Sequence, residues 1–235
     1  VISQFNNIVR TYGEGDLTEK WRVNPANGTV AFGSALDRWG FTLPMMLRRG
    51  LKFSDIVDYY AQGRIEDLQK MLPLHEAILE MSIKHLPNPL EAQPFRVPKI
   101  WSGDVNSDVG KAMTTIDESG PTVMCITQVM FDPHAGIVST GRIFSGAIHK
   151  GDDIYLLNAN KDYKTQQVSI YMGAFREVVD EISAGNIAAV LGLDLCRAGE
   201  TIVDVPHKDE AAPFESMKYI SDPVLTIAIE AKYPM

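Results

Sequence analysis

Apolar residues change their spacing part-way along the chain, from a helical period before residue 87 to short runs between turns after residue 98. Ile2, Phe5, Ile8 and Val9 fall near helical spacing, and Gly13, Gly15 and Asp16 stop that helix before a polar stretch. Asn27-Gly28 marks a turn, and residues 29–32 read as a short apolar strand running into Gly33-Ser34-Ala35. Over residues 39–69 helical patterns dominate, with Phe53, Ile56, Val57 and Tyr60 on one face. Pro73 can open a further helix at its first position, striped by Leu74, Ile78, Met81 and His85. On it Glu80 and Lys84 pair at i, i+4, and Lys84 and His85 suit the negative end of the helix dipole. Pro87 and Pro89 end this helix. With Pro94 and Pro98 they make residues 88–98 a rigid extended connector and the expected domain boundary.

Beyond the connector, short apolar runs cover 122–131, 137–148, 153–157, 166–172, 187–191 and 201–205, separated by Gly, Asp and Asn turns. Several short strands with regular turns predict a small closed antiparallel β-barrel. Residues 206–213 read as a polar linker, and 223–231 as one more strand with no sequence left to pair with, so a third domain is expected to open there. The fold class is therefore α+β in several domains: a largely helical part over 1–97, a barrel over 98–212, and a linker with a first strand over 213–235.

Composition narrows the chemistry. A length of 235 residues, with 45% hydrophobic and 22% charged, is an ordinary globular mix with ample material for a core. No apolar run is long enough to span a bilayer, and the opening Val1-Ile2-Ser3-Gln4 is not a signal peptide, so no membrane partner is expected. The missing initial Met fits a cut piece of a longer protein, and equally processing. Cys125 and Cys196 each sit among apolar residues with no metal-ligand spacing, which reads as two buried reduced thiols in a cytoplasmic protein. The net charge of -8 argues against a partner held through phosphates, DNA included. It also weighs against the alternative of a stand-alone RNA-binding β-barrel module, without excluding a local positive patch.

Asp104, Asn106 and Asp108 alternate like the start of a calcium loop, but Val109 and Thr115 stand where that loop needs Gly and Glu, so a solvated turn is expected. The five histidines show no ligand spacing, and neither a metal site nor paired catalytic groups are expected. Asp132-Pro133-His134-Ala135-Gly136 reads as a hairpin loop. No phosphate-cradling G-x-x-x-x-G-K-[ST] run occurs anywhere. Gly33-Ser34-Ala35 after a strand lets the backbone turn, and small residues there also let it approach a planar ligand. Glycines at 141 and 146 mark bends or close backbone approach, and Lys150-Gly151-Asp152 reads as a hairpin turn.

The order of these residues carries a resemblance. Gly141-Arg142 through Gly146, then Lys150-Gly151-Asp152, Ala184-Gly185-Asn186, Gly192-Leu193 and Ala198-Gly199-Glu200-Thr201 resemble the second-domain signature of translational GTPases. The segment from Pro73 to Pro89 resembles the last helix of the GTPase domain in the elongation factor 2 family. Val30 through Ala35 resembles its fifth guanine-nucleotide motif, and Pro223 through Lys232 the opening of its third domain. The hairpin Asp132 to Gly136 looks archaeal. The resemblance implies that residues 1–97 are the C-terminal part of a GTPase domain, with one strand that has lost its sheet neighbours. It implies that the backbone of Gly33, Ser34 and Ala35 contacts a guanine ring. GTP with magnesium and the ribosome, through small-subunit RNA, are the implied ligand and partner of the whole factor. Arg142 and Lys150 are the surface residues implied for RNA contact. The phosphate loop, switches and magnesium ligands would precede Val1, so GTP is not expected to bind to this chain alone, nor to be hydrolysed by it.

Overall fold

The computed structural model describes residues 1–173 and 175–215, together with Ile227, Ala228 and Glu230. The chain divides into two compact units, Val1–Leu86 and Pro87–Met235.

The first unit opens with helix α1, Ile2–Tyr12, which buries Val9 and stops where Gly13 turns extended. The polar stretch after it folds into a short second helix, α2, Asp16–Lys20. The Asn6 side chain ties α1 to the following segment, donating to the Val23 carbonyl (2.9 Å) and accepting from the Val23 N–H (2.8 Å). A 3-10 turn, Pro25–Asn27, ends at Gly28, whose φ of 83° explains the Asn-Gly pair.

Strands β1, Ala31–Ser34, and β2, Trp39–Thr42, form an antiparallel hairpin. This corrects two expectations: β1 has a sheet neighbour, and residues 39–42 are strand rather than helix. Tertiary partners decide the second point. Gly40 donates its N–H to the Leu72 carbonyl (2.9 Å), and a Cβ on it would stand 2.6 Å from Leu74 Cδ1. Helices α3 (Leu43–Arg48), α4 (Phe53–Ala61), α5 (Ile65–Met71) and α6 (Leu74–His85) follow. Thr42 caps α3, and Pro73 takes the cap position of α6 rather than its first turn.

The hairpin and these helices enclose Phe41, Met45, Met46, Leu51, Ile56, Leu68, Leu72 and Ala77. Burying each larger side chain contributes about 1.5–3 kcal/mol. Phe53 closes this core edge-on to Phe32 and Phe41, but Val57 on the expected apolar face of α4 is exposed. On α6, Glu80 pairs with Lys84 as its spacing predicts and also with Arg48 (2.7 Å). Hydrogen bonds from Lys84 and then Arg48 hold its carboxyl below the usual value.

The second unit begins with helix α7, Pro89–Ile100, where an extended connector was expected. Its prolines are placed so that a helix tolerates them. Pro89 sits in the first turn, where an N–H has no intrahelical acceptor, and Asn88 caps the Glu91 N–H. Pro94 and Pro98 share the exposed face, so water can satisfy the carbonyls they leave free, while Ala92, Gln93 and Val97 are buried. The division at Leu86 therefore places α7 in the second unit rather than at its boundary. Helix α8, Asp108–Thr115, is capped by Ser107; Asp104 Oδ1 accepts from the Asn106 N–H (2.9 Å), the solvated turn expected there.

Ten strands follow among the described residues: β3 (Val123–Asp132), β4 (Gly136–Ser145), β5 (Ala147–His149), β6 (Asp153–Leu156), β7 (Lys161–Lys164), β8 (Gln167–Met172), β9 (Phe175–Val179), β10 (Glu181–Ser183), β11 (Ile187–Leu191) and β12 (Thr201–Asp204). Eight of them make one antiparallel sheet in the order β7-β6-β12-β3-β4-β11-β8-β9, and β5 pairs with β10 in a separate ribbon. Strands β7 and β8 lie far apart in that order, yet only Thr165 and Gln166 join them along the chain. Thr165 bonds the β5–β6 turn through Asp152 (2.9 Å) and Gly151 (2.7 Å), and Gln166 bonds Leu191 of β11 (3.0 Å). The sheet must therefore coil upon itself. Its interior is one core to which β3 and β6 give Ile126 and Leu156, β8 gives Val168, and the ribbon gives Ile148 and Ile182. The expected barrel is thus a rolled sheet around a single core, and no ladder closes β7 onto β9 among the described residues.

Helices α7 and α8 cover the outside of β3, β4 and β12 through Val97, Trp101, Val109, Met113, Phe144 and Val203. Gln93, fully buried, donates to the carbonyls of Met113 and Phe144 and so ties both helices to β4. The strand expected over residues 223–231 falls largely outside the described residues.

Candidate functional site

The first candidate lies in the β1–β2 turn. Gly33 faces Gly40 across the hairpin, and a Cβ on it would stand 2.5 Å from the Trp39 carbonyl oxygen, so the close strands require glycine there. Because Gly40 turns its N–H to Leu72, the alternation of an antiparallel ladder directs the Gly33 N–H and C=O away from β2. Ala35 is exposed and Leu36 is 90% exposed, leaving the turn open.

Ser34 is held from below. Its hydroxyl donates to Asp37 Oδ2 (2.9 Å) and accepts from the Asp37 N–H (3.1 Å). The Tyr60 hydroxyl, on α4, donates to the same carboxylate oxygen, and Trp39 Nε1 donates to Tyr60 (2.8 Å). Arg38 sits at a φ of 55°, a left-handed conformation that this network supports. The turn thus presents main-chain groups on a fixed frame, the arrangement that a planar ring with edge acceptors would need.

The second candidate, on the rolled sheet, is less coherent. Arg142 lies in β4, half-buried, paired with Cys125 and Ile187 of the flanking strands, and its guanidinium donates to the Gly185 carbonyl (3.2 Å). Burial, and then the nearby Arg96 charge, push its pKa below the ordinary guanidinium value. Lys150 stands exposed in the β5–β6 turn, where Gly151 takes a φ of 90°. The preceding residue, His149, lies between Asp152 (3.1 Å) and Glu181 (3.6 Å). The two cations stand on different elements. Cys125 and Cys196 are free thiols, and burial pushes Cys196 up to about 11, so it stays protonated near neutrality. Among the described residues no group of three His, Cys, Asp or Glu could hold a metal ion, and no helix is long and apolar enough to cross a membrane.

Residues 121–205 match the family model of elongation factor G domain 2. The whole chain aligns with elongation factor 2 of Staphylothermus marinus at 55% identity, of Desulfurococcus amylolyticus at 50%, and of Metallosphaera sedula at 49%. Over its whole length the chain is similar to these elongation factor 2 proteins. Each alignment covers 100% of this chain and 32% of the relative, so the chain spans about a third of the length of the curated relatives it matches. The elongation factor signature of the second unit is thereby given physical reasons: Gly141, Gly146 and Gly185 all stand where a side chain would strike backbone or need a positive φ.

Sequence reasoning put Gly33, Ser34 and Ala35 forward as candidates and did not single out Asp37, Trp39 and Tyr60, whose hydrogen bonds hold their turn. Ser34 and Asp37, three residues apart around a turn, were a usable signal. Tyr60 left none, because it reaches the turn from another helix.

Proposed function

We propose that this chain works as part of elongation factor 2, catalysing GTP-dependent translocation of tRNA and mRNA on the ribosome in the cytoplasm. In this reading residues 1–97 are the end of the GTPase domain, 98–212 its second domain, and 213–235 the linker into a third. Gly33, Ser34 and Ala35 offer their backbone to the guanine ring, and the observation that carries this is the bare Gly33 position, where the main chain faces outward with no Cβ in the way. GTP supplies the phosphoryl group and magnesium its counter-charge when bound. Neither a phosphate-cradling run nor a cluster for the ion occurs among the residues described, so this chain contributes base recognition and docking rather than phosphoryl chemistry.

Isothermal titration of the 235-residue polypeptide with GTP tests this division of labour. No heat of binding is expected up to about 100 μM nucleotide. Micromolar affinity would overturn it.

Contact with small-subunit RNA is assigned to Lys150 and, in part, Arg142. The Gly185 bond of Arg142 makes it partly structural, so Lys150 gives the cleaner test. Lys150→Glu in the full-length factor should weaken ribosome binding about threefold to tenfold at low salt, with the difference shrinking as salt rises. Unchanged binding at 50 mM salt would remove Lys150 from the interface.

A further inference from the structure

The hydroxyl of Ser34 is already committed. It donates to Asp37 Oδ2 and accepts from the Asp37 N–H, which leaves Ser34 no side-chain proton to donate to a ligand, only its main-chain N–H. The same Oδ2 takes a second proton donor from Tyr60, and Tyr60 accepts from the Trp39 indole. Trp39 and Tyr60 also meet edge to face, with ring centroids 6.2 Å apart. A carboxylate accepting two hydroxyl donors makes stronger bonds than a neutral acceptor would. The β1–β2 turn is therefore clamped by a helix more than twenty residues away, and its left-handed Arg38 would not be held by the turn alone.

We propose that Asp37 and Tyr60 are positioning residues that set guanine-nucleotide affinity by fixing the backbone of Ser34 and Ala35. The inference rests on the reading that this backbone contacts guanine. Neither side chain need touch the nucleotide. Tyr60→Phe keeps the ring on Trp39 and removes only the hydroxyl that reaches Asp37. Freed of that bond, the turn samples conformations in which its N–H groups no longer converge, and bound nucleotide leaves sooner.

The experiment uses the full-length factor and ribose-labelled fluorescent GDP, followed by stopped flow. Tyr60→Phe should raise the dissociation rate and the Kd about tenfold, with the association rate within twofold of the parent and the melting temperature shifted by less than about 3 °C. Asp37→Asn, which keeps one carbonyl acceptor, should show a smaller rise in the same rate. Ala35→Trp, which fills the open side of the turn, should abolish binding. A Tyr60→Phe dissociation rate within twofold of the parent, with Ala35→Trp inactive, would overturn the clamp while leaving the guanine reading standing. Normal binding by Ala35→Trp would sink the guanine reading and the clamp together.

Discussion

Gly141→Ala should unfold the second unit in urea about 1.5–2 M below the parent, a loss of roughly 3–5 kcal/mol. Gly141 sits mid-strand in β4, and a Cβ on it would stand 2.1 Å from the Cys125 carbonyl oxygen and 2.8 Å from Ile126 Cα. Both are backbone atoms, so no side chain can swing aside. The strand cannot retreat either, because Gly141 faces Ile126 of β3 on one side and Ala188 of β11 on the other. Beside it, between Ile126 and Gln128, the β3–β4 register already shifts, which brings the two backbones close. A domain of this size is stable by only about 5–15 kcal/mol, so the loss is a large share of the whole.

Gly151→Ala is the contrast. Its φ of 90° disfavours a side chain, but nothing lies within 4 Å of the added Cβ, so about 1 kcal/mol is expected. Urea titrations followed by circular dichroism, with both variants beside the parent, separate steric collision from simple backbone strain. Equal midpoints for the two variants would show that the collision at Gly141 is relieved by a movement of β3.

The same glycine shows what a sequence can and cannot disclose. Short apolar runs between turn residues placed β3, β4, β6, β8, β11 and β12 close to where they fold, because a buried strand writes its burial into its own composition. The glycines at 141 and 146 announced close backbone approach without naming the strand approached. Residues 88–98 misled because proline was weighed as a helix breaker. Whether Pro94 and Pro98 are tolerated depends on which face of α7 meets solvent, and that is decided by Gln93 and Val97 packing beneath it. Trp39 to Thr42 misled for a related reason: four residues carry too little period to outvote their helical neighbours, and the Leu72 carbonyl that fixes Gly40 lies thirty-two residues away. At the candidate site, the small residues of the turn were legible, but the clamp was not, since a hydrogen bond between Asp37 and Tyr60 leaves no local spacing to read.

Glu200→Ala should cost about 3 kcal/mol, and Glu200→Gln about 1 kcal/mol. Glu200 is only 4% exposed, and it forms no ion pair among the described residues. Its Oε1 accepts the N–H of Asn158 (2.8 Å) and Thr201 (2.9 Å), and Oε2 accepts that of Ala159 (3.2 Å). The carboxylate therefore stands in for a strand partner, satisfying the donors of the turn after β6. Three main-chain dipoles offset the desolvation of one buried charge.

Alanine leaves all three N–H groups without an acceptor. Glutamine keeps an oxygen for Asn158 and Thr201 but turns an NH₂ toward Ala159, losing one bond while no longer burying a charge. The expected order is parent, Gln, Ala, in both urea midpoint and the amide exchange rate of Asn158 and Ala159. A glutamine variant as unstable as alanine would mean that the negative charge, rather than its acceptor geometry, is what the turn requires. If the order holds, Ala198-Gly199-Glu200-Thr201 has a physical reason at each end. Gly199, at a φ of 88°, returns its N–H to Ile126 (2.8 Å) and its carbonyl to Asn158 Nδ2 (3.1 Å), and Glu200 then caps the turn that this return brings against it.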